Sequence, residues 1–192
     1  MRKQFEPQPG ALCTPEELHW MQGDGYFYEL EEGVLVQYPS SIYSSMVRGH
    51  VIGALFSYVG SRKDAWILSL GVGFQCFPWL PTTVRRPSVS YLPWNRISLE
   101  DAAKEEHCKI APDLVAEVLI GGDLPGGIHR RVADWLEAGV RLVWVVNPLT
   151  RSVLAHFRDG PMIPNCVADT LTCEELLPGF ACPVAALFET PR

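Results

Sequence analysis

The pattern of apolar and polar positions is clearest between residues 111 and 148. Leu114 to Ile120 is an apolar run interrupted only by Glu117, which is typical of a strand that is covered on both faces. A glycine-rich stretch follows, and from Ile128 the apolar residues recur at the spacing of one helical face. Leu142 to Val146 forms a second apolar run. Strand, helix and strand in this order predict a parallel βαβ unit.

The rest of the pattern predicts shorter elements on either side of this unit. Thr14, Pro15 and Glu17 form a capping box that begins a short helix. Two apolar segments separated by Gly33 predict a hairpin that carries Glu29. The other predicted elements are a helix at 44–59, strands at 66–70, 73–77 and 84–92, a charged helix at 98–106, strands at 152–157 and 167–171 paired around an Asp159-Gly160 turn, and helical turns at 174–177 and 184–188 joined by a Leu-Pro-Gly-Phe docking loop.

Length and composition indicate one folded domain. With 192 residues, of which 47% are hydrophobic, we expect a loose tail over residues 1–13 and a single α/β domain over residues 14–192. The net charge of -6 means that any nucleic-acid site must be a local basic patch. The six cysteines include no Cys-x-x-Cys pair, so reduced thiols are expected. Without a signal peptide or an apolar run of membrane-spanning length, we expect a cytoplasmic protein with no membrane partner.

Glu117 is the residue that points most directly to a function. A carboxylate in the middle of a buried strand is costly unless a cation or a partner compensates it. Glu29 on the hairpin and basic residues on the following helix could complete a magnesium phosphodiesterase site, because carboxylates hold the metal and cations steady the phosphate. Glu117 could equally pair with Arg130 or Arg131 inside the fold. Periodicity alone does not decide between these two interpretations.

Five segments, in order, are similar to the successive sequence blocks of a known family. They are Thr14-Pro-Glu-Glu-Leu, Tyr28-Glu-Leu-Glu-Glu-Gly-Val-Leu-Val, Val84-Arg-Arg-Pro-Ser-Val-Ser-Tyr, Ala111-Pro-Asp-Leu-Val-Ala-Glu-Val-Leu and Trp135-Leu-Glu-Ala-Gly-Val-Arg-Leu-Val-Trp-Val-Val-Asn-Pro. The chain therefore resembles the Uma2 family of restriction-endonuclease-like proteins, which belongs to the PD-(D/E)XK nuclease superfamily. The resemblance implies a restriction-endonuclease-like α/β fold, with a mixed central sheet flanked by helices, and magnesium-dependent DNA cleavage.

The resemblance also implies a set of site residues. Glu29 matches the family's acid on the first hairpin, Glu117 matches its strand glutamate, and Asp123 matches the acid after that strand. Three features depart from the family pattern: Ser88 stands where the family has aspartate, Ile120-Gly121-Gly122 replaces its Ser-Pro-Ser, and Arg131, on the next helix, replaces its lysine. The predicted catalytic set is therefore Glu29, Ser88, Glu117 and Arg131, and the predicted metal ligands are Glu117 and Asp123.

These departures weaken the expected catalytic site. Serine binds magnesium far less well than a carboxylate does, and arginine cannot release a proton as lysine can. We therefore expect weak or absent magnesium binding, impaired catalysis, and a role in binding a protein or a nucleic acid, DNA rather than RNA. The alternative is an active magnesium-dependent DNA endonuclease, since one or two carboxylates suffice in some magnesium sites. Apolar sheet edges also admit a homodimer. The basic rim expected to grip phosphate comprises Arg85, Arg86, His129, Arg130 and Arg131.

Overall fold

The computed structural model describes residues 8–21, 26–60, 62–104 and 106–190. Gly23-Asp24-Gly25, a sequence that predicts a turn before the hairpin, lies outside the described residues. The helices are α1 (Pro15–His19), α2 (Ile42–Val59), α3 (Leu99–Ala102) and α4 (Pro125–Glu137). The strands are β1 (Phe27–Glu31), β2 (Val34–Tyr38), β3 (Ala65–Ser69), β4 (Val89–Pro93), β5 (Leu114–Val118), β6 (Leu142–Asn147), β7 (Ser152–Phe157), β8 (Met162–Asn165), β9 (Thr170–Cys173) and β10 (Leu177–Pro183). Short 3-10 helices span Trp94–Arg96 and Val184–Phe188.

A six-stranded mixed sheet is the centre of the fold, with the strand order β3-β4-β5-β6-β7-β8. β5 and β6 are parallel, with Glu117 opposite Val145, and the other neighbouring strands are antiparallel. Helix α4 connects β5 to β6, so the strand–helix–strand unit predicted from residues 111–148 is confirmed. Every residue of β5 is buried, as expected for a central strand with both faces covered.

Two apolar layers cover the two faces of this sheet. Helix α2 and the C-terminal strands pack on one face, where Val51 and Trp144 belong to a single buried cluster. Helix α4 packs on the other face, where Val115 and Trp135 belong to a second cluster. Because successive strand side chains point to opposite faces, Glu117 shares the face of Val115. The strand therefore directs its one carboxylate toward α4.

The β1–β2 hairpin forms a separate two-stranded sheet. Residues 10–13 make backbone hydrogen bonds with Gly33 and Leu35, so the expected loose tail does not extend over these residues. Their backbone groups pair with the hairpin edge, which a strand otherwise leaves open. Leu30 and Val84 exchange two backbone hydrogen bonds of 2.9 and 3.0 Å between N and O atoms. This bridge fixes β1, and the acidic side chains on it, against the segment that leads into β4.

The C-terminal strands pair differently from the prediction. β7 is followed by the Asp159-Gly160 turn, but its partner is β8 and not residues 167–171. Pro164 argues against a strand in the sequence, yet β8 lies at the sheet edge, where a residue without an N–H group loses no ladder bond. β9 pairs instead with β10. The segment predicted as a docking loop is therefore part of a strand, and the helical turn predicted before it is the turn that leads into that strand.

Three further elements are shorter than predicted. The ladder of β4 begins only at Val89, and the segment 73–77 makes isolated bridges through Phe74. Prolines at 78, 81 and 87 interrupt these segments because they lack an N–H donor. The charged helix predicted at 98–106 is helical only over α3.

None of the described helices is long and apolar enough to cross a membrane. All six cysteines are free thiols. Burial raises the pKa of Cys13 to about 11 and that of Cys76 to about 12. Neither side chain is therefore a reactive thiolate near neutral pH.

The close packing around Gly73 gives a test of the fold. A Cβ atom at Gly73 would lie 2.6 Å from His107 Nδ1 and 2.9 Å from Val84 Cγ1, and both neighbours are buried. We expect Gly73→Ala to lower the free energy of unfolding by about 1–3 kcal/mol, as overpacking does. In Gly49→Ala, within α2, the new methyl group meets nothing within 4 Å. We expect this variant to raise the free energy of unfolding by about 0.5–1 kcal/mol. Urea unfolding that gave both variants the same stability would contradict this packing.

Candidate functional site

The candidate site is built where β1, β5 and α4 meet. β1 contributes Glu29, and β5 contributes Glu117 near its carboxyl end. Arg131 and Trp135 are four residues apart on α4, so they lie on the same helical face. All four side chains are buried, and none is more than 6% exposed.

One guanidinium group joins the two carboxylates. Arg131 Nη1 donates to Glu29 Oε2 at 2.5 Å, and Arg131 Nη2 lies 3.2 Å from Glu29 Oε1. The same Nη2 donates to Glu117 Oε1 at 2.9 Å, and this oxygen also accepts a hydrogen bond of 2.8 Å from Trp135 Nε1. We call these four residues the arginine-bridged cluster. Of the two interpretations that periodicity left open, the fold contains the internal ion pair between Glu117 and Arg131.

Neighbouring groups fix the geometry of the cluster. The backbone N–H of Arg86 donates to Glu29 Oε1 at 2.5 Å, which completes the hydrogen bonding of that carboxylate. The Tyr38 ring lies against Arg131, with 4.8 Å between the guanidinium carbon and the ring centroid. Such a cation–π contact favours a positive charge at this position. The planar arginine fork, with two N–H groups on Glu29, sets a specific orientation.

The cluster contains two acids and one base, and burial governs their ionisation. Burial raises the pKa of Glu117, and the nearby Glu29 carboxylate raises it further, while Arg131 and Trp135 oppose the rise. Burial also acts to lower the pKa of Arg131, but Glu117 and Glu29 outweigh it, so the pKa of Arg131 lies well above its ordinary value. Arg131 therefore stays charged, and removing it would leave two buried carboxylates without their cation.

Ser88 and Asp123 lie beside the cluster but do not contact it. Ser88 Oγ accepts a hydrogen bond of 3.0 Å from the backbone N–H of Val118, next to Glu117. Asp123 Oδ2 accepts one of 2.8 Å from the backbone N–H of Ile120 and so closes the turn after β5. Of the predicted site residues, Glu29, Glu117 and Arg131 contact one another, whereas Ser88 and Asp123 stabilise neighbouring backbone.

Comparison with known proteins identifies the family. Residues 15–185 match the model of the Uma2 family, which is described as "Putative restriction endonuclease". The chain belongs to the Uma2 family. No curated protein matches it. The crystal structure of a putative nuclease belonging to DUF820 from Anabaena variabilis ATCC 29413 matches with a TM-score of 0.74 and 17% identity, over 92% of this chain and 97% of that chain. At this identity the likeness establishes the fold, so the predicted family and fold class are confirmed.

Sequence reasoning missed two residues of this Uma2 site. Tyr38 ends β2 and packs on Arg131. Arg48 lies on α2, where its Nε is buried without a hydrogen-bond partner among the described residues. Burial lowers the pKa of Arg48, whereas Glu117 raises it, so this second cation lies within electrostatic range of the cluster. Arg48 is the only Arg, Lys, Asp or Glu among the 18 residues of α2, a signal that could have revealed it.

The basic rim predicted to grip phosphate is not a free surface in this Uma2 protein. Arg85 is 1% exposed and forms ion pairs with Asp134 and Glu31. The guanidinium of Arg86 donates to backbone carbonyl groups, and Arg131 belongs to the cluster. Only His129 and Arg130 are exposed, and Arg130 pairs with Glu32. The prediction that Arg85 belongs to an exposed basic rim was wrong. Its buried partner, Asp134, lies 49 residues away in sequence, so no local pattern reveals the pair.

The indole of Trp135 offers a direct test of the cluster. Trp135→Phe removes the N–H that donates to Glu117, and we expect the free energy of unfolding to fall by about 1–3 kcal/mol more than in Trp144→Phe. Trp144 is a matched control because it is equally buried and its Nε1 has no partner among the described residues. Denaturant unfolding measures both variants. Equal losses would show that the bond to Glu117 contributes nothing.

Proposed function

We propose that this Uma2 protein is a binding protein with a nuclease fold, in which Arg131 replaces the metal ion and phosphodiester hydrolysis is lost. The observation that carries this proposal is the position of the Arg131 guanidinium between Glu29 and Glu117. A divalent cation shared by these two carboxylates would have to occupy the same space. The guanidinium already supplies the positive charge that the two buried acids require.

The side chains present do not fit a magnesium ion. Magnesium requires nearly octahedral oxygen ligands at about 2.0–2.1 Å. Three of the four carboxylate oxygens of Glu29 and Glu117 already accept N–H hydrogen bonds. Ser88 is a neutral ligand, and its oxygen accepts from the backbone. Within the described residues, no group of three or more His, Cys, Asp or Glu side chains could hold a metal ion.

Proton transfer by Arg131 is also poorly supported. The raised pKa of Arg131 keeps its guanidinium protonated, so it cannot serve as a general base. A general acid or base works best when its pKa lies near the working pH. Arg131 is therefore suited to holding carboxylates in place and not to chemistry on a phosphate.

A protein is the binding partner that the surface favours. Nucleic-acid affinity depends on cations that are free to neutralise phosphates. Three of the five arginine and histidine side chains expected to do so already form ion pairs with carboxylates, namely Arg85, Arg130 and Arg131, and the whole chain has a net charge of -6. With few cations left free for phosphates, a protein is the more suitable partner.

Three measurements test this proposal. A supercoiled plasmid is incubated with magnesium or manganese and either the wild type or Glu117→Gln, and we expect no cleavage by wild type beyond that control. Calorimetric titration of magnesium should give no binding heat, and a gel shift should show no retained DNA. If the gel shift shows bound DNA but the plasmid is not cleaved, the proposed partner is a nucleic acid and not a protein. Glu117-dependent cleavage would overturn the proposal and make the protein an active magnesium-dependent DNA endonuclease.

A further inference from the structure

A cavity of about 700 Å³ lies beside the edge strand β3, apart from the arginine-bridged cluster. On β3, Ile67 packs with the α2 layer, so Trp66 and Leu68 point to the opposite face and line the cavity. Residues 101–104 and 106–110 form the other wall. Its principal apolar lining residues are Trp66, Leu68, Val72, Leu92, Ile97 and Leu99. Ligand pockets for small molecules have this size and this mainly apolar character.

Arg86 is the cation inside this cavity, and its partners differ from those of the neighbouring arginines. Its Nε donates to Tyr28 O at 2.9 Å, and its Nη1 donates to Gly71 O at 2.7 Å. These acceptors are neutral carbonyl groups, and no carboxylate of the described residues lies within ion-pair distance of the Arg86 guanidinium. By contrast, Arg85, Arg130 and Arg131 each form an ion pair with a carboxylate.

The remaining donors of Arg86 are available to a ligand. Its Nη2 forms no hydrogen bond with any of the described residues, although the side chain is half-buried. A charge that leaves water usually has a counter-charge beside it. Burial lowers the pKa of Arg86, and only the more distant Glu29 opposes this. A bound anion would supply the missing counter-charge.

Other cations around the cavity are less suited to this role. Lys104 pairs with Asp101, and Lys109 donates to Gln75; both side chains are exposed, so water solvates their charges, whereas Arg86 is half-buried. His107 lies in the wall with its Nε2 against Pro15 O at 2.9 Å, and burial lowers its pKa, so the ring is neutral near pH 7. The guanidinium of Arg86 is therefore the charge that remains to select a ligand.

We propose that this cavity binds a small organic anion, with an apolar body against Trp66, Leu68 and Leu92 and a carboxylate, sulfonate or phosphate group on Arg86 Nη2. The apolar wall provides most of the contact area, and the guanidinium selects for the negative charge. The cavity shares no side chain with the arginine-bridged cluster. The proposal therefore does not rest on the proposed function, and either can fail alone.

Two fluorescent probes test the proposal, because they differ only in the anionic group. 1-Anilinonaphthalene-8-sulfonate carries a sulfonate, and N-phenyl-1-naphthylamine is the same apolar body without it. We expect the sulfonate probe to bind the intact protein at one site and at least about tenfold more tightly than the neutral probe, the factor for one charge-assisted hydrogen bond. Arg86→Met should reduce this preference to about one. Arg62→Met, which removes an exposed arginine outside the cavity, should leave it unchanged.

A second variant keeps the test decisive if Arg86→Met does not fold. Leu99 is exposed at the cavity mouth, and Leu149 is equally exposed elsewhere. Leu99→Glu adds a negative charge to the mouth and should weaken sulfonate binding about tenfold, whereas Leu149→Glu should not change it. Equal affinities of the wild type for the two probes would overturn the proposal. So would sulfonate binding that neither Arg86→Met nor Leu99→Glu weakens.

Discussion

Replacing Arg131 with methionine is expected to lower the free energy of unfolding by about 3–5 kcal/mol at pH 7, because breaking a buried ion pair leaves an uncompensated charge. The effect should lie at the upper end of this range, since the guanidinium is shared by Glu29 and Glu117 and both lose their cation together. Methionine preserves the length and apolar stem of the side chain. The loss therefore reports on charge and hydrogen bonding more than on packing. Urea unfolding followed by circular dichroism measures it.

Arg130→Met is the matched control for this experiment. Arg130 is the preceding residue on α4 and also pairs with a glutamate, but Arg130 and Glu32 are more than half exposed. Exposed ion pairs contribute only about 0–1 kcal/mol. We therefore expect the control to unfold almost as the wild type does. Similar losses of free energy of unfolding in the two variants would show that burial does not make the ion pairs of Arg131 more stabilising than the exposed pair of Arg130.

The loss in Arg131→Met should depend on pH in a defined direction. Burial already raises the pKa of Glu117 in the folded protein, and removing the guanidinium should raise it further. A group with a raised folded pKa favours the folded state below its unfolded pKa, about 4.3 for glutamate, and this advantage disappears as pH rises through the folded pKa. The difference in free energy of unfolding between the wild type and Arg131→Met should therefore be small near pH 4.5 and grow toward pH 7. A deficit that is constant over this range would contradict the charge-based explanation.

The parts of the fold that sequence predicted best are those set by local patterns. β5 is a continuous apolar run, α4 has a helical apolar period, and the capping box of α1 uses residues three apart, so their positions follow from neighbouring residues. The hairpin was predictable for the same reason. Strand partners in the C-terminal segment were not, because β8 and β9 are only four residues long each, and tertiary pairing selects between them.

The candidate site shows the same division between local and distant information. Glu117 was recognisable as a buried acid from its own strand, but its pairing depends on contacts across the chain. Arg131 and Glu29 are 102 residues apart in sequence, and no periodicity relates them. Arg85 was expected to belong to the basic rim that grips phosphate. Its burial follows from the bridge between Phe74 and Arg85, which places the side chain under α4 beside Asp134.

A double replacement, Ser88→Asp with Arg131→Lys, is expected to create a magnesium response that we do not expect from the wild type. Ser88 Oγ bonds to the N–H of Val118, so a carboxylate at this position would lie beside Glu117. Lysine removes the planar fork that bridges Glu29 and Glu117 while keeping one positive charge. Without metal, three clustered carboxylates should make this variant less stable than the wild type. Magnesium at a hundredfold excess over its dissociation constant should restore about 2.7 kcal/mol, or about 5–10 °C in Tm.

Plasmid cleavage should follow the thermal response. Because single charge-stabilising groups in hydrolytic sites contribute about 10²–10³ in rate, we expect the double variant to exceed the wild-type background by at least about 100-fold. Ser88→Asp alone is the first control, since Arg131 still bridges the carboxylates and should exclude the metal. Glu117→Gln added to the double variant is the second, and it should abolish both responses. A magnesium response in the single variant equal to that of the double variant would show that the guanidinium does not close the site.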